Sequence, residues 1–319
     1  MPPSDRNRLK LTIITGFLGS GKTTFLQHNL NKHGNSASHV ILNEIAERSV
    51  DGFLLDKSEA FTNIVGGCVC CSKRDKLIEV LSSVCNFRNG QELSNPNRIK
   101  NVLLETSGVS NPALICEAIF NHSVLSRNIL IDKIVVLLDA YEDFSNLTNE
   151  ILIKEQISNA DEIYISKVDL VDTAKINQIF NYVLSINPTV KISCNIKGEI
   201  RELGAIEKKR RKVKIPASEN KQKSVNDISA FLIPIKPNTD WDLLVIWLSA
   251  LMHCHGDNVL RLKGIVSSPS GRLLLQGVGK NIGTPQILPD DFHNKTDHIV
   301  LIGRKISKVE LLKSTKIYG

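Results

Sequence analysis

The chain has 319 residues, 42% of them hydrophobic and 23% charged, and a formal net charge of +7. This length predicts two domains, or one large domain with an appendage, each with a sizeable core. No apolar run reaches the length of a membrane span, and the N-terminus lacks the apolar core of a signal peptide. Seven cysteines without an even disulfide spacing indicate a reducing environment, so we expect a cytoplasmic protein that does not bind membranes.

Strand-like and helical segments alternate along the first two thirds of the chain. The predicted strands cover residues 11–15, 39–43, 61–65, 102–105, 134–138, 162–166 and 190–193. The predicted helices cover residues 22–32, 75–84, 112–120, 151–157 and 174–186. This alternation predicts an α/β domain, with a mostly parallel sheet and helices on both faces. Ligands of such domains bind at the carboxyl ends of the strands.

Two polar stretches interrupt the pattern. Residues 86–99 are predicted as a surface excursion, and residues 197–227, with almost no apolar periodicity, as an interdomain linker. The linker contains the basic tract 208–214, which fits a solvated linker, a nuclear signal or a nucleic-acid patch. Nucleic-acid binding is not expected, because no aromatic residue interleaves with the tract to stack on bases.

A different pattern follows the linker. A strand at 230–235, a helix at 241–252 and strands near 259–266, 273–276 and 298–302 predict a small α+β domain. The predicted boundaries are therefore a first domain at 1–196, a polar basic linker at 197–227 and a C-terminal domain at 228–319.

The most informative motif follows the first predicted strand. Residues 16–23 read G-F-L-G-S-G-K-T, which matches G-x-x-x-x-G-K-[ST], and an amphipathic helix comes next. Glycines let backbone N–H groups face one phosphate chain, the lysine reaches the β/γ-phosphates and the threonine hydroxyl ligates Mg²⁺. This context favours a nucleoside-triphosphate site, a P-loop, over a coincidental Gly-rich turn. Its expected members are Gly16, Gly19, Ser20, Gly21, Lys22, Thr23 and Thr24.

The second informative motif is the cysteine cluster in the sequence G-G-C-V-C-C at 66–71. In an extended segment Cys68 and Cys70 project to the same side and can bind one soft or borderline metal. Cys71 is then a third ligand or points elsewhere. Zinc is the simplest candidate, while cobalt and nickel also fit such donors. The alternatives are a buried turn of small apolar cysteines and a strained redox disulfide.

Further metal donors are less sharply indicated. Glu44 and Glu47 follow the second predicted strand, where they can bind the metal, orient Mg²⁺ or a water, or be solvated. The H-x-H pair His253 and His255 lies at the end of a predicted helix, whose geometry puts the two imidazoles on different faces. We therefore interpret this pair as surface residues. The isolated cysteines are predicted to fill the core: Cys85, Cys116 and Cys194.

The order of these motifs resembles the CobW-type branch of the P-loop GTPases, relatives of the hydrogenase and urease nickel-insertion GTPases. The resemblance runs over nearly the whole chain, and C-x-C-C combined with the P-loop is highly specific to this family. The matching segments are 16–24, 43–51 (N-E-x-x-E-x-x-x-D), 68–71, 105–108 (E-T-S-G), 138–140, 255–264 (H-G-D-N-V-L-R-L-K-G), 276–278 and 302–304. The resemblance implies that Glu105 and Gly108 belong to the second magnesium and γ-phosphate switch.

The chain departs from the family pattern at four places. Residues 166–169 read S-K-V-D where guanine-specific GTPases usually have N-K-x-D. The resemblance implies that Asp169 accepts from the guanine edge and that Lys167 covers the base, which favours guanine over adenine. An ordinary strand end with a polar turn is the alternative. Residues 45–46 and 110–111 also differ, and residues 279–283 lack the histidines of many relatives.

The resemblance implies a GTP-hydrolysing metallochaperone with slow intrinsic turnover, because no arginine finger or water-positioning glutamine can be named. Lys22, Thr23 and Glu105 are the expected catalytic residues. The expected cofactors are GTP, Mg²⁺ and Zn²⁺ or Co²⁺, and the expected metal-site residues are Cys68, Cys70, Cys71, Glu44 and Glu47, with Thr23 for Mg²⁺.

The expected partner is a client metalloprotein or a protein of a metal-cofactor pathway, and the oligomeric state, including a homodimer, stays open. Two other functions also stay open at this point. One is a non-enzymatic, zinc-dependent adaptor with a vestigial nucleotide site. The other is a P-loop small-molecule kinase.

Overall fold

The computed structural model describes residues 8–33, 37–44, 61–65, 73–95, 97–196, 199–201, 228–236, 239–288 and 296–315. The chain divides into two compact units, and each contains one β-sheet.

The first unit alternates strands and helices. Its strands are β1 (Leu9–Gly16), β2 (Ser38–Glu44), β3 (Phe61–Val65), β4 (Asn101–Glu105), β5 (Ile129–Asp139), β6 (Glu162–Ser166), β7 (Lys191–Ile196) and β8 (Glu199–Arg201). Its helices are α1 (Lys22–His33), α2 (Arg74–Asn89), α3 (Pro112–Phe120), α4 (Ser123–Asn128), α5 (Phe144–Asn149), α6 (Ile151–Asn159) and α7 (Thr173–Ile186), with a 3₁₀ turn at Val168–Leu170.

The sheet of this unit has the order β3-β2-β4-β1-β5-β6-β7-β8. Strands β1 to β7 are parallel, and β8 pairs antiparallel with β7. Leu9, Leu11 and Ile13 of β1 are fully buried, as expected for a central strand covered on both faces. This architecture confirms the predicted α/β fold with a mostly parallel sheet. It also puts the end of β1 between those of β4 and β5, where the strand order reverses and ligands bind.

Helix α1 is fixed to the sheet by apolar packing. Phe25 and Leu26 belong to one buried cluster with Leu137 of β5 and Tyr164 of β6. The rings of Phe25 and Tyr164 lie 4.7 Å apart between centroids. This packing holds the first turn of α1 above the carboxyl edge of the sheet.

The second unit is a smaller α+β structure, as predicted. Its elements are β9 (Ile228–Pro234), α8 (Trp241–His255), β10 (Val259–Ser268), β11 (Gly271–Val278), β12 (Asn281–Ile282), β13 (Gln286–Ile287), β14 (His298–Arg304) and α9 (Lys308–Ser314). The antiparallel sheet has the order β12-β11-β10-β14-β9, and β13 pairs with β11. Leu244, Trp247 and Leu251 of α8 pack with Ile233 and Leu301 of the sheet in one core.

The structure differs from the sequence prediction in several places. Helix α2 continues to Asn89, so the start of the predicted surface excursion is helical. Arg88, within that excursion, is buried, and its Nε donates to the Ile99 carbonyl at 2.9 Å. Helices α4 and α5 were not predicted, because six residues are too few to show a helical period. Strand β8 lies within the segment predicted as a linker, whereas the basic tract 208–214 lies outside the described residues.

Among the described residues, none of the helices has the length and apolar character that crossing a membrane requires.

Candidate nucleotide and metal site

The phosphate-binding loop joins β1 to α1 and has the backbone of a tight, glycine-dependent turn. Gly19 and Gly21 have φ values of +75° and +86°, which side chains disfavour. A Cβ on Gly16 would lie 2.3 Å from the carbonyl oxygen of Leu137 in β5. The loop therefore packs directly on the neighbouring strand. Ser20 is buried within it, and Thr24 is exposed on the first turn of α1.

The side chain of Lys22 folds back over this loop. Its Nζ donates to the carbonyls of Gly16 at 2.8 Å and Phe17 at 3.0 Å, and only 9% of the residue is exposed. Burial lowers the pKa of Lys22 below its usual value, and the charge of Glu105 partly opposes this effect. The ammonium can exchange these carbonyls for phosphate oxygens without leaving the loop.

Thr23 connects the loop to the end of β4. Its Oγ1 donates to Oε1 of Glu105 at 2.7 Å, and Glu105 is buried. A hydroxyl and a carboxylate next to a phosphate loop are the oxygen donors that Mg²⁺ prefers. These two residues therefore fit a magnesium ion bound together with a nucleotide.

Residues 105–110, which we call the switch segment, run from the end of β4 along the phosphate loop. The backbone N–H of Thr106 donates to the carbonyl of Ile14 at 2.9 Å. A Cβ on Gly108 would lie 2.6 Å from the backbone nitrogen of Leu18, so only glycine fits this approach. The hydroxyls of Ser107 and Ser110 lie 2.9 Å apart in the buried interior. The switch segment is thus in direct contact with the phosphate loop.

The next strand ends form the predicted base-binding side. Ser166 Oγ donates to the carbonyls of Ser20 at 2.9 Å and Leu138 at 3.2 Å. The serine that replaces the usual asparagine therefore still ties this segment to the phosphate loop. Lys167 has a left-handed backbone, with φ of 55°, and its Nζ pairs with Asp139 at the end of β5. Asp169 is exposed on the 3₁₀ turn.

The predicted metal loop is not described by the structure. Cys68, Cys70, Cys71 and Glu47 lie outside the described residues, as does the side chain of Glu44. Asn43 and the backbone of Glu44 are part of β2 rather than of a following loop. Asn43 is buried, and its Nδ2 donates to the carbonyl of Ile64 in β3 at 3.2 Å.

The isolated cysteines lie as predicted, whereas of the H-x-H pair His253 is exposed and His255 only half-exposed. Cys85, Cys116 and Cys194 are buried, and Cys254 is exposed. His253 and His255 lie in the last turn of α8, so their side chains leave the helix in different directions. Within the described ranges, which exclude the cysteine loop, no group of three or more histidine, cysteine or acidic side chains could hold a metal.

The structure adds residues that sequence reasoning did not connect with the site. Asp139 matched only a family pattern, yet it pairs with Lys167. Gln156 of α6 is fully buried and contacts both Thr15 and the switch segment. A glutamine within an amphipathic helix carries no sequence signal for such a role.

A parallel sheet with this loop at its switch point defines a P-loop nucleotide-binding protein. Residues 10–193 match the family described as CobW/HypB/UreG, nucleotide-binding domain. Residues 228–315 match the Cobalamin synthesis protein cobW C-terminal domain. The chain belongs to the CobW/HypB/UreG family, which confirms the expectation of a CobW-type P-loop GTPase.

Relatives match over most of the chain. The protein named Zinc chaperone YjiA of Escherichia coli is 27% identical over 318 residues, which cover 96% of this chain and 97% of that protein. Zinc chaperone CobW of a Sinorhizobium species is 26% identical over 324 residues, 88% of each. Zinc-regulated GTPase metalloprotein activator 1 of Schizosaccharomyces pombe is 28% identical over 204 residues, 61% of this chain and 48% of that protein.

A solved structure shares the fold. The Zn(II)-bound YjiA GTPase from E. coli superimposes with a TM-score of 0.65 at 21% identity, covering 98% of this chain and 99% of that one.

Proposed function

We propose that this protein is a GTP-hydrolysing metallochaperone that binds a transition metal, zinc first and cobalt second, and transfers it to a client protein. The nucleotide half of the proposal rests on the Thr23–Glu105 contact of 2.7 Å beside the buried Lys22. In other P-loop proteins these residue types bind Mg²⁺ and the β/γ-phosphates.

Each residue of the site has a role in hydrolysis. The backbone of Gly19, Ser20 and Gly21 cradles the phosphates, and Lys22 stabilises the charge that develops on them. Thr23 and Glu105 would hold Mg²⁺, which supplies positive charge to the phosphates. Thr24 follows on the first turn of α1, whose N-terminal dipole favours an anion. Without a named arginine finger, we expect slow intrinsic turnover.

The base is guanine in this proposal. Asp169 accepts from the N1–H and N2–H₂ groups of guanine, a donor pair that adenine lacks. The stem of Lys167 covers the base while its ammonium stays paired with Asp139. The hydrogen bond from Ser166 to the Ser20 carbonyl fixes the base-binding segment relative to the phosphate loop. Gly108 faces the position of the γ-phosphate.

The transported metal is bound by Cys68, Cys70 and Cys71, with Glu44 and Glu47 as further donors. The register of the sheet supports this grouping, because Glu44 at the end of β2 is the partner of Val65 at the end of β3. The acidic segment after β2 and the cysteine segment after β3 therefore leave the sheet at neighbouring points. Thiolates and carboxylates together suit zinc or cobalt.

Nucleotide state and metal affinity are coupled in this proposal. GTP and Mg²⁺ bind beside the segments that follow β2 and β4. The cysteine segment lies between these two segments in sequence, so its geometry changes with theirs. Hydrolysis then relaxes the thiolate site and releases the metal to the client. Linkage requires that a metal bound more tightly with GTP raises the affinity for GTP by the same factor.

The names of the relatives support the transported metal and the kind of partner. Two are called zinc chaperones and one a zinc-regulated metalloprotein activator. We further propose the boundaries 1–196, 197–227 and 228–319 for the nucleotide domain, linker and C-terminal domain, with the first domain extended to Arg201 because β8 pairs with β7. The gap between the matches at 10–193 and 228–315 supports a linker between two domains.

A zinc competition titration tests the metal site. We expect the double variant Cys68→Ser/Cys70→Ser to lose tight zinc binding and to keep its affinity for GDP. The control is Cys254→Ser, because Cys254 is exposed on α8 and outside the proposed loop. Unchanged zinc affinity in the double variant would rule out the C-x-C-C site. GTP hydrolysis that is lost in Lys22→Ala excludes the adaptor, and preference for GTP over ATP excludes the kinase.

A further inference from the structure

Helix α6 holds the switch segment to the base of the phosphate loop through one side chain. Gln156 is fully buried, and its Nε2 donates to the carbonyl of Ser110 at 3.0 Å and to Oγ1 of Thr15 at 3.4 Å. Thr15 immediately precedes Gly16, the first residue of the phosphate loop. One amide group therefore bridges the last residue of the switch segment and the strand that carries the loop.

A second contact from the same helix turn reinforces the first. Nδ2 of Asn111 donates to Oε2 of Glu155 at 2.6 Å. The side-chain oxygen of Asn111 accepts from the backbone N–H of Ala113 at 2.9 Å and so caps α3. Adjacent residues of α6 thus bind adjacent residues at the start of α3. The departure from the family pattern at 110–111 lies at this contact.

The switch segment is fixed at both ends. Near its start, the N–H of Thr106 donates to the Ile14 carbonyl of β1 at 2.9 Å. At its end, the Ser110 carbonyl accepts from Gln156. Between these two points Gly108 lies against the backbone of Leu18, with room for no Cβ. The position of Gly108 relative to the phosphate loop therefore depends on both attachments.

We propose that Gln156 is a positioning residue for GTP hydrolysis, which fixes the switch segment against the phosphate loop through the Ser110 carbonyl and Thr15. This inference rests on the proposed GTPase activity. Gln156 acts through the protein backbone and a neighbouring hydroxyl rather than on the nucleotide. Its loss therefore lowers kcat much more than it weakens the binding of GDP, which requires the loop but not the γ-phosphate contact.

Helix α6 also offers a matched control. Asn159 is fully buried three residues further on, and its Nδ2 donates to the carbonyl of Glu155 at 2.8 Å, within the helix itself. The amide oxygens of Gln156 and Asn159 both have no hydrogen-bond partner within the described part of the chain. Each substitution therefore removes one unpartnered amide oxygen together with the hydrogen bonds of the amide nitrogen, but only the Gln156 amide reaches the switch segment and the strand that carries the phosphate loop.

The test compares Gln156→Met with Asn159→Leu, which remove each amide while keeping the approximate size of the side chain. GTP hydrolysis, the dissociation constant of GDP and the melting temperature are measured for the wild type and both variants. We expect kcat of Gln156→Met to fall about tenfold or more, because the substitution removes both buried hydrogen bonds through which the Gln156 amide holds the switch segment. Its GDP affinity should stay within about threefold, and Asn159→Leu should keep both parameters within about threefold whatever the change in its melting temperature.

The outcomes separate this inference from the proposed function. A wild type that does not hydrolyse GTP overturns both. A hydrolysing wild type with equal kcat losses in the two variants, or with no loss in Gln156→Met, overturns the positioning role alone. If Gln156→Met does not fold, Thr15→Val decides, because it removes one contact of the same amide at constant size. We expect a smaller kcat loss from Thr15→Val, again without weaker GDP binding, and an unchanged kcat overturns the inference.

Discussion

The Ser166 hydroxyl connects the base-binding segment to the phosphate loop, so the loss of this one group should weaken nucleotide binding. Ser166→Ala removes the hydroxyl that donates to the carbonyls of Ser20 and Leu138 at 2.9 and 3.2 Å. The backbone of Ser166 stays in place, because its carbonyl accepts from the N–H of Ala140 at 3.0 Å. The substitution therefore weakens the connection between the two halves of the nucleotide site without unfolding the strand.

The size of the expected loss in nucleotide affinity follows from the single hydroxyl proton of Ser166, which two buried carbonyls share. A typical hydrogen bond contributes about 0.5–1.5 kcal/mol net. At about 1.4 kcal/mol per factor of ten, this loss corresponds to roughly a 2- to 12-fold weaker nucleotide affinity. GTP and GDP should lose the same factor, because both use the base segment and the loop equally.

Fluorescence titration with labelled GDP and a labelled, non-hydrolysable GTP analogue measures this change. Ser83→Ala is the control, because the Ser83 hydroxyl donates to the Glu79 carbonyl at 2.9 Å within α2, away from the site. We expect this control to bind as the wild type does. An unchanged affinity in Ser166→Ala, or a loss confined to the GTP analogue, would refute the argument.

Two further predictions concern the switch segment and the thiols. Gly108→Ala puts a Cβ 2.6 Å from the Leu18 backbone nitrogen, so the switch segment must shift, and kcat should fall by about 10²-fold. Steady-state GTP hydrolysis and GDP binding measure this effect, and an unchanged kcat contradicts it. Burial raises the pKa values of Cys85 and Cys194 to about 11, so these thiols should resist alkylation until the pH approaches 11. Exposed Cys254 should react before either of them at pH 8. Mass mapping of the alkylated sites measures the order, and labelling of Cys85 or Cys194 at pH 8 as fast as that of Cys254 contradicts it.

The sequence predicted those parts of the molecule that follow from a period or from a contiguous motif. Strands β1 to β7 appear as apolar runs, because the central strands are buried on both faces. The phosphate loop appears as eight consecutive residues, because the nucleotide binds one continuous turn. Short helices such as α4 and α5, at six residues each, do not show a period.

Contacts between distant segments could not be predicted from the sequence. The contact of Gln156 with Ser110 joins residues 46 positions apart, and that of Ser166 with Ser20 joins residues 146 apart. Ser166 stands where guanine-specific GTPases usually have an asparagine, and its hydroxyl makes the connection to the loop. Only the packing of β6 beside the loop reveals this, since neither residue type signals its partner.

The central claim is that the nucleotide state controls metal affinity. Its most direct test is the dissociation constant of Zn²⁺, and of Co²⁺ beside it, measured with a GTP analogue and Mg²⁺, with GDP, and without nucleotide. We predict that the triphosphate form binds one metal at least about tenfold more tightly, a coupling of roughly 1.4 kcal/mol. Equal affinities in all three states would contradict the account and separate the GTPase from the thiolate loop.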